Sequence, residues 1–273
     1  MAAPQQTWRF PVNRRAVQGV AAGKSFRMLY PMRCSIAKEL YWNKGLREYR
    51  ADRFALDLFC QLARTADVVL DIGANTGLFA MAAAASNPDT KIHAYEIVPD
   101  VVVHLVSNLV ENEMLSQVEV HSYGIGNSDT TMRVPSQASA PALPSAFSSR
   151  IEFSDGARVM FQTLDQQSYF AEGASNVLVK IDVEGTENEI LRHGNDFLAR
   201  FSPDIICELL PDECKVEDVD SHLRANQYKC YKILADRLQF EPVLKPDPAY
   251  HDWLFTALEV GELAKRISPL QVF

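Results

Sequence analysis

The sequence is poor in the residues that build cross-linked, fibrous or membrane-spanning proteins. Its 273 residues include only five cysteines, an odd number without any CxxC pair, which argues against a disulfide framework and a zinc ribbon. Glycine and proline number 12 and 14, too few for a collagen-like or low-complexity chain. No apolar run approaches the roughly 18 residues of a membrane span. These absences predict a globular protein with free thiols in a reducing compartment, and we expect a cytoplasmic location.

Negative charge is also missing from one end of the chain. The first 38 residues contain no Asp or Glu, and residues 1–50 carry ten Lys or Arg against two acids, a charge of +8. Because the whole chain carries −8, the other 223 residues carry −16. Such an acidic body is a poor surface for nucleic acid, which binds clustered Lys and Arg. We expect the basic segment to pack on the main domain; a mitochondrial transit peptide is the alternative, although Ser is scarce and prolines interrupt a long helix.

What the sequence does contain is an alternation of strand-like and helix-like segments. Apolar residues recur near helical spacing over residues 36–64, which predicts one or two helices leading into the core. From residue 68 onward, short apolar runs typical of buried parallel strands alternate with helical stretches. The alternation predicts an α/β fold with an open, doubly wound sheet and a helical N-terminal extension. The predicted strands are residues 68–72, 91–96, 118–123, 177–181, 205–209, 228–234 and 253–258.

One long interruption breaks this alternation. Residues 124–150 are rich in Gly, Pro and Ser, which predicts a long surface loop, with a short hairpin formed by residues 132–134 and 159–163. We therefore divide the chain into a basic extension with lead-in helices at residues 1–64 and a main domain at residues 65–273. The main domain contains the loop and hairpin insertion at about residues 124–163.

The most informative segment is the predicted strand–turn–helix junction at residues 68–77, which reads VVLDIGANTG. Gly73 and Gly77 let the backbone approach a ligand, and the start of the following helix attracts a carboxylate or phosphate. The spacing G-x-x-x-G differs from the G-x-G-x-x-G of dinucleotide-binding proteins. With Asp71 two residues before the first glycine, the pattern suits a ligand with an amino group and a carboxylate, hence the methionine half of S-adenosylmethionine (SAM). A turn without a ligand is the structural alternative.

Two further positions extend this candidate site. Glu96 ends the next predicted strand, about 20 residues past the turn, where a carboxylate can accept hydrogen bonds from both ribose hydroxyls of a nucleoside; this position alone would also fit NAD. Gly124 opens a turn after the third strand, where an adenine ring would rest, although two glycines in a turn have a sufficient structural explanation. The segment 19–25, GVAAGKS, is one residue too short for a P-loop and follows no buried strand, so we assign it no ligand.

A second cluster of functional candidates consists of acids at strand ends. Asp182 and Glu184 follow the predicted strand 177–181, and Glu208 ends the next strand. In an open α/β sheet these ends meet at the edge where ligands bind, and a carboxylate there can orient or deprotonate a hydroxyl acceptor. Two alternatives stay open. The three acids could hold Mg²⁺, or they could be structural, with Glu184 capping the next helix and Asp182 paired with Lys180.

Taken together, four segments resemble the FkbM-type family of SAM-dependent methyltransferases: DIGANTG (71–77), YEIVP (95–99), LVKIDVEGTENEIL (178–191) and PDIICEL (203–209). The resemblance covers about residues 65–258. It implies the class I methyltransferase fold, with a Rossmann-like sheet of seven strands whose last strand is antiparallel. It also implies SAM as the cofactor, and usually O-methylation of a hydroxyl on a sugar, glycolipid or polyketide-type natural product. From the three acids, Mg²⁺ is a possible further cofactor but is not favoured.

The resemblance also assigns roles to residues. By match to the family motifs, SAM would be bound by Asp71, Gly73, Asn75, Gly77 and Glu96, and the acceptor would be faced by Asp182, Glu184 and Glu208. Residues 1–50 and 135–150 match no pattern, so we expect acceptor choice to depend on them. The absence of N-P-P-Y at residues 182–185 argues against methylation of nucleic-acid bases. A protein or other small-molecule acceptor, an NAD-linked oxidoreductase and a non-catalytic SAM-fold module remain the alternatives.

Overall fold

The structure is a computed structural model that describes residues 13–134, 155–210, 214–245 and 247–267, and the backbone of residues 271–272. Its strands are β1 (Ala16–Ala21), β2 (Lys24–Leu29), β3 (Val68–Ile72), β4 (Lys91–Tyr95), β5 (Val118–His121), β6 (Gly124–Ile125), β7 (Thr131–Val134), β8 (Ala157–Gln162), β9 (Val177–Ile181), β10 (Asp204–Glu208), β11 (Lys229–Ile233), β12 (Arg237–Glu241), β13 (Asp252–Thr256) and β14 (Gln271–Val272). Its helices are α1 (Ser35–Trp42), α2 (Arg50–Ala63), α3 (Leu78–Ser86), α4 (Pro99–Glu111), α5 (Glu187–Arg192), α6 (Asn195–Phe201), α7 (Val216–Ala225) and α8 (Val260–Arg266), with a 3-10 helix at Asp165–Ala171.

The main sheet has nine strands in the order β14-β12-β11-β13-β10-β9-β3-β4-β5. Strands β5, β4, β3, β9 and β10 are parallel, and β13 runs antiparallel to both of its neighbours, β10 and β11. All seven predicted strands are in this sheet, and the expected α/β fold is confirmed. The last predicted strand, β13, is antiparallel as expected, but the described sheet has nine strands instead of seven, because β12 and β14 extend its edge beyond β11. The chain order reverses between β3 and β9, which makes their carboxyl ends the expected binding edge.

The sheet is covered on both faces, which explains its continuous apolar runs. All five residues of β3 and all five of β9 are buried. Along β3, Val69 packs with α2 and α3, while Leu70 and Ile72 pack with the opposite layer, as the two-residue period of a strand requires. The Ala-rich helix α3 is almost entirely buried, so small side chains let it approach the strands closely.

The N-terminal extension is not purely helical. Strands β1 and β2 form an antiparallel hairpin before α1, which the sequence analysis did not predict. Its turn is the GVAAGKS segment: Ala22 and Gly23 both have positive φ (51° and 75°), the conformation of a tight two-residue hairpin turn. Buried side chains of the hairpin, among them Phe26 and Met28, join the core beside α3.

The chain between β9 and β10 forms two short helices, α5 and α6. The break falls at Gly194, which precedes the first residue of α6. A side chain there would meet Leu164 at 2.6 Å, so the chain passes too close to the segment before the 3-10 helix for a residue with a Cβ. No helix among the described residues has both the length and the apolar character of a membrane span.

A small second sheet, formed by β6, β7 and β8, packs against the start of α4 through Val134 and Val159. Strand β7 pairs antiparallel with β8, with Met132 opposite Val159, and β6 pairs parallel with β8. This pairing lies in the segment where the sequence analysis placed a hairpin. The predicted loop at residues 135–150 lies outside the described residues.

Candidate cofactor and acceptor site

A cavity of about 580 Å³ opens at the carboxyl ends of the central strands. One side is formed by the turn after β3 and by the end of β4, and the other by the loops after β9 and β10. The N-terminal extension and the small second sheet complete the wall. The lining includes Ser35, Glu39, Arg47, Gly73, Ala74, Asn75, Leu78, Phe79, Glu96, Tyr123, Gly124, Phe161, Asp182, Glu184, Glu189 and Glu208.

The turn after β3 holds its shape because two of its residues are glycines. Gly73 has φ 84°, and a Cβ added there would lie 1.9 Å from the carbonyl oxygen of Asp182. Gly77 has φ 93° at the start of α3, and a Cβ there would lie 2.5 Å from a methyl group of Leu105. Asn75 also has positive φ and lines the cavity. Gly77 is buried behind the wall, so its role is to let α4 approach the turn.

Glu96 lies on the cavity wall and holds the turn in place. One of its carboxylate oxygens accepts the N–H of Asn75 (3.0 Å) and the other accepts the N–H of Val98 (2.8 Å). Burial raises the pKa of Glu96, and these backbone N–H groups oppose the rise. Each carboxylate oxygen has two lone pairs, so both can still accept a hydroxyl hydrogen from a ligand.

Asp71 lies one layer below the cavity rather than on its wall. The sequence analysis expected it beside the amino group of a ligand, but Ile72 is the residue of β3 that lines the cavity, so Asp71 points to the opposite face. Its side chain is 1% exposed and accepts the backbone N–H of Ala80 in α3. Burial raises its pKa to about 7, against the attraction of Lys180. Asp71 therefore supports the start of α3 from below.

Residue 124 is a glycine because an aromatic ring occupies the space that a side chain would need. A Cβ at this position would lie 2.3 Å from the ring of Phe161 in β8. Both residues line the cavity, as does Tyr123, whose hydroxyl donates to Gln167 (3.1 Å). This wall presents flat apolar surfaces at the end of β5, the position where the sequence analysis placed an adenine ring.

The three acids of the second motif are brought together. Asp182, Glu184 and Glu208 each have a carboxylate oxygen within 4.8 Å of the others, and all three are partly buried. The Lys180 ammonium, which is fully buried, lies 3.3 Å from Asp182 and 3.8 Å from Asp252. It also lies 5.1 Å from the ring centre of Phe79. Lys180 thus enters the site from below, and its ion pair with Asp182 is the pairing that the structural alternative of the sequence analysis named.

The pair Asp182 and Glu208 shares one proton at neutral pH. Burial opposes ionisation of both, but Lys180 and the hydrogen bond from Glu208 leave the pKa of Asp182 below its ordinary value. Burial and the neighbouring charge of Asp182 raise the pKa of Glu208 to about 10. At pH 7 Asp182 is therefore a carboxylate oriented by Lys180, and Glu208 is a neutral acid that donates a hydrogen bond to it.

Glu187 organises the loop that carries Glu184, and sequence reasoning missed it. Its side chain is 1% exposed, and one oxygen accepts the N–H groups of Val183 (3.3 Å) and Gly185 (3.1 Å). Glu184 itself has positive φ (58°), a conformation that such a fixed loop can impose. The string Glu184–Glu189 contains three glutamates, and nothing in their order distinguishes the buried one.

Comparison with known families shows to which protein family this chain belongs. A family model described as the methyltransferase FkbM domain matches residues 71–230, more than half of the sequence. The chain belongs to the FkbM methyltransferase family. No curated protein matches it. Membership of this family implies SAM as the cofactor, as expected from the glycine turn.

Solved structures resemble this FkbM chain at low sequence identity. They include a methyltransferase FkbM from Methylobacillus flagellatus (14% identity, TM-score 0.47, 70% of this chain and 44% of that chain). A SAM-dependent methyltransferase from Agrobacterium tumefaciens is 9% identical (TM-score 0.49, 92% of this chain and 74% of that one). A SAM-dependent O-methyltransferase from Thermotoga maritima is 12% identical (TM-score 0.41, 87% and 76%). The chain spans less than half the length of the Methylobacillus protein.

The residues of this FkbM domain fit SAM. The cavity volume is within the range of small-molecule sites. The first turn of α3, where Leu78 and Phe79 line the cavity, has N–H groups that a helix leaves without intrahelical partners and that suit a carboxylate. Glu96 has lone pairs for ribose hydroxyls, and Tyr123 and Phe161 offer aromatic faces to a base.

The N-terminal extension forms a further part of the cavity wall. Ser35, Ile36 and Glu39 of α1 and the following Arg47 line the cavity near the three acids. The Arg47 guanidinium donates to Glu39 (2.8 Å) and to Asp52 (2.9 Å), which ties this wall to α2. The spacing of these residues carries no known motif, so only their position after folding identifies them.

The acid cluster has the geometry for a divalent cation as well. Asp182, Glu184 and Glu208 offer three oxygens within coordination reach of one point. Lys180 and the proton shared by Asp182 and Glu208 already neutralise part of this charge.

Proposed function

We propose that this protein transfers the methyl group of SAM to a hydroxyl oxygen of a small-molecule acceptor, of the sugar, glycolipid or polyketide type. The observation that carries the proposal is the meeting, in one cavity, of the glycine turn and Glu96 on one side with Asp182, Glu184 and Glu208 on the other. The first half suits a nucleoside with an amino-acid tail, and the second half suits a hydroxyl that must lose a proton.

The acids would act on the acceptor and not on the cofactor. When bound, SAM supplies an electrophilic methyl group on a positively charged sulfur. The acceptor oxygen must attack in line and give up its proton, and an ionised carboxylate within hydrogen-bond distance can orient it and take that proton. Asp182 is the favoured group, because Lys180 keeps it ionised and fixed. Glu208, which holds a proton at pH 7, would orient Asp182.

The charge around the cavity favours a neutral, hydroxyl-rich acceptor. Among the described lining residues six are acids and Arg47 is the single cation, already bonded to Glu39 and Asp52. A phosphate-rich acceptor would meet repulsion there. A protein side chain that enters the cavity is the alternative acceptor, and a non-catalytic SAM-binding module is the alternative function.

The cofactor half is tested by calorimetric titration with SAM and S-adenosylhomocysteine. We expect binding by the intact protein and at least about tenfold weaker binding by Glu96→Ala, because hydrogen bonds to a charged group are lost. Glu189→Gln, which also changes a cavity-lining acid, is the matched control and should bind as the intact protein does. Absence of SAM binding by the intact protein would contradict the proposal.

The acceptor half is tested by transfer of labelled methyl groups from SAM to a panel of hydroxylated sugars, glycolipids and polyketides, with peptides as the alternative. On a productive acceptor we expect Asp182→Asn to lower kcat by about 100-fold or more, the typical contribution of a positioned base. Glu208→Gln keeps a hydrogen-bond donor and should lose less. Both should retain SAM affinity. Full activity of both Asp182→Asn and Glu184→Gln would refute the roles assigned to these acids.

A further inference from the structure

A second group of ligating side chains lies outside the cavity, near the edge of the main sheet formed by β5. His93 is in β4, and Glu119 and His121 are in β5. The parallel register places His93 opposite Glu119, and the two-residue period of a strand puts His121 on the same face as Glu119. Glu119 and His121 are two residues apart in the sequence, but His93 lies in another strand, so the sheet is needed to bring the three together.

The distances within this group match those of a metal site. Nδ1 of His93 lies 3.1 Å from Nε2 of His121, and carboxylate oxygens of Glu119 lie 3.7 Å from His93 and 4.0 Å from His121. Zinc binds histidine nitrogen at about 2.0–2.1 Å in tetrahedral geometry, which separates neighbouring ligand atoms by about 3.3 Å. Small side-chain rotations therefore suffice to place all three atoms around one ion.

The two imidazoles are held in position by aromatic neighbours. The ring of Phe170 stacks on His93 at 3.9 Å, and Tyr95 stacks on His121 at 4.7 Å between ring centres, which restricts both rings. Glu119 is 61% exposed at its side chain and gives an ion a path from solvent.

We propose that His93, Glu119 and His121 form a binding site for a divalent transition metal, best suited to Zn²⁺, with water as the fourth ligand. Two neutral imidazoles and one carboxylate are ligands that zinc prefers, whereas Mg²⁺ prefers oxygen alone. The hydrogen now shared between the two facing nitrogens moves to the outer nitrogen of its ring, so each inner nitrogen presents a lone pair.

The ion would tie the edge strand β5 to β4 directly behind the wall of the cavity. Tyr95 packs against His121, lines the cavity and donates its hydroxyl hydrogen to Gln167 of the 3-10 helix (3.1 Å). Zinc binding at this place would stabilise the folded state. At zinc concentrations above Kd, this stabilisation would increase with the logarithm of the zinc concentration. The site does not depend on SAM or on any acceptor.

The test is a titration of the chelator-treated, tag-free protein with Zn²⁺ in competition with a chromophoric chelator. We expect the intact protein to bind one zinc per chain. Glu119→Gln should bind zinc at least about tenfold more weakly, because loss even of a residue that only supports a metal ligand lowers metal affinity about 10–100-fold. His121→Gln should bind no zinc at this site. Glu172→Gln, which changes an equally exposed glutamate (64% at its side chain), should bind as the intact protein does. Asp182→Asn should also leave zinc binding unchanged, which separates this site from the acid cluster.

Substitution of zinc by Co²⁺ gives an independent readout. The intact protein should show the visible absorption bands of cobalt with tetrahedral nitrogen and oxygen ligands, and Glu119→Gln should weaken them. Because Glu119 is exposed, this variant is expected to fold, and an unchanged thermal transition of the metal-free protein verifies it. The proposal is overturned if the intact protein binds no zinc, or if Glu119→Gln and His121→Gln bind it with unchanged affinity.

Discussion

Single residues set the contact between the two halves of the cavity. The carbonyl of Asp182 lies too close to the place of a Cβ at residue 73 for any side chain to fit there. The loop with the acids can approach the glycine turn this closely because residue 73 has only a hydrogen atom at that place. Below this contact, Asp71 and Lys180 lie in neighbouring strands in direct register, and both are buried. The geometry of the site therefore depends on two residues that lie beneath its wall and on one that has no side chain.

Gly73→Ala should lower the free energy of unfolding by more than about 2 kcal/mol, because it adds a backbone clash to an unfavourable positive φ. Gly173→Ala is the matched control: Gly173 has φ 78°, but a Cβ there meets nothing within 4 Å, so only the cost of the conformation, about 1 kcal/mol, is expected. Urea denaturation measures both. Equal losses for the two variants would show that the loop moves away from residue 73 at little cost.

Asp71→Asn should change the pH dependence of stability. Because the folded pKa is raised to about 7 from 3.8, the native state holds its proton more tightly than the unfolded state, and stability falls as pH rises from about 4 to about 7. The variant lacks this loss, so its stability relative to the native protein should increase across that window, by about 1.4 kcal/mol for each pH unit between the unfolded and the folded pKa. Urea denaturation at pH about 5 and about 8 measures the change, and parallel curves for both proteins would contradict it.

Among the secondary-structure elements, helix α4 connects the N-terminal hairpin to the glycine turn. Asn108 in α4 is fully buried; it accepts the N–H of Leu29 in β2 (2.8 Å) and donates to the carbonyl of Thr76 (2.7 Å). One turn further, the half-buried Asn112 accepts the N–H of Arg27 (2.8 Å) and donates to its carbonyl (2.7 Å), and both of these bonds are exposed to solvent. One helix face thus fixes the hairpin against the part of the site that would hold the cofactor.

Asn108→Ala should cost about 2–3 kcal/mol, since it leaves a buried N–H and a buried carbonyl without partners. Asn112→Ala removes the equivalent bonds to Arg27 where water can replace them, together with a hydrogen bond to the carbonyl of Asn108 (2.7 Å), and should cost about 1 kcal/mol. Chemical denaturation gives the two values, and SAM titration of both variants shows whether the turn is displaced. A loss for Asn112→Ala as large as that for Asn108→Ala would mean that burial is not the deciding factor.

Over the full chain, charge is divided between the N-terminal segment and the rest of the protein. Residues 1–50 carry +8 and the remaining residues carry −16. The described part of the basic segment packs on α3 and α4 through the hairpin and contributes Arg47 to the cavity, where Glu39 and Asp52 neutralise it. Little of this positive charge faces the candidate acceptor half of the cavity, which is rich in carboxylates.

We therefore expect no measurable binding of tRNA at a salt concentration of about 0.15 M, where isolated surface charges are strongly screened. At low salt the basic segment is expected to bind nucleic acid weakly and without preference for sequence. Fluorescence anisotropy with labelled tRNA over a salt series measures both. Submicromolar binding at the higher salt would be the contrary result and would reopen nucleic acid as the acceptor.

Local sequence patterns were sufficient to predict seven of the nine strands described in the main sheet, the glycine turn and the acids at the strand ends. Periodicity, glycine spacing and the place of a residue at the end of an apolar run are all contained in contiguous residues. That Asp182, Glu184 and Glu208 lie close to one another was also predicted from the sequence, because the carboxyl ends of parallel strands meet at one edge of the sheet.

Which atoms meet in the site depends instead on tertiary packing. Packing places Asp71 below the cavity and Lys180 beneath the acid pair, makes Glu187 the support of the Glu184 loop, and forms the N-terminal hairpin. Each of these features depends on contacts between segments far apart in the chain or on the face that a strand residue takes. The group of His93, Glu119 and His121 likewise exists only through strand register, because no spacing in the sequence reveals it.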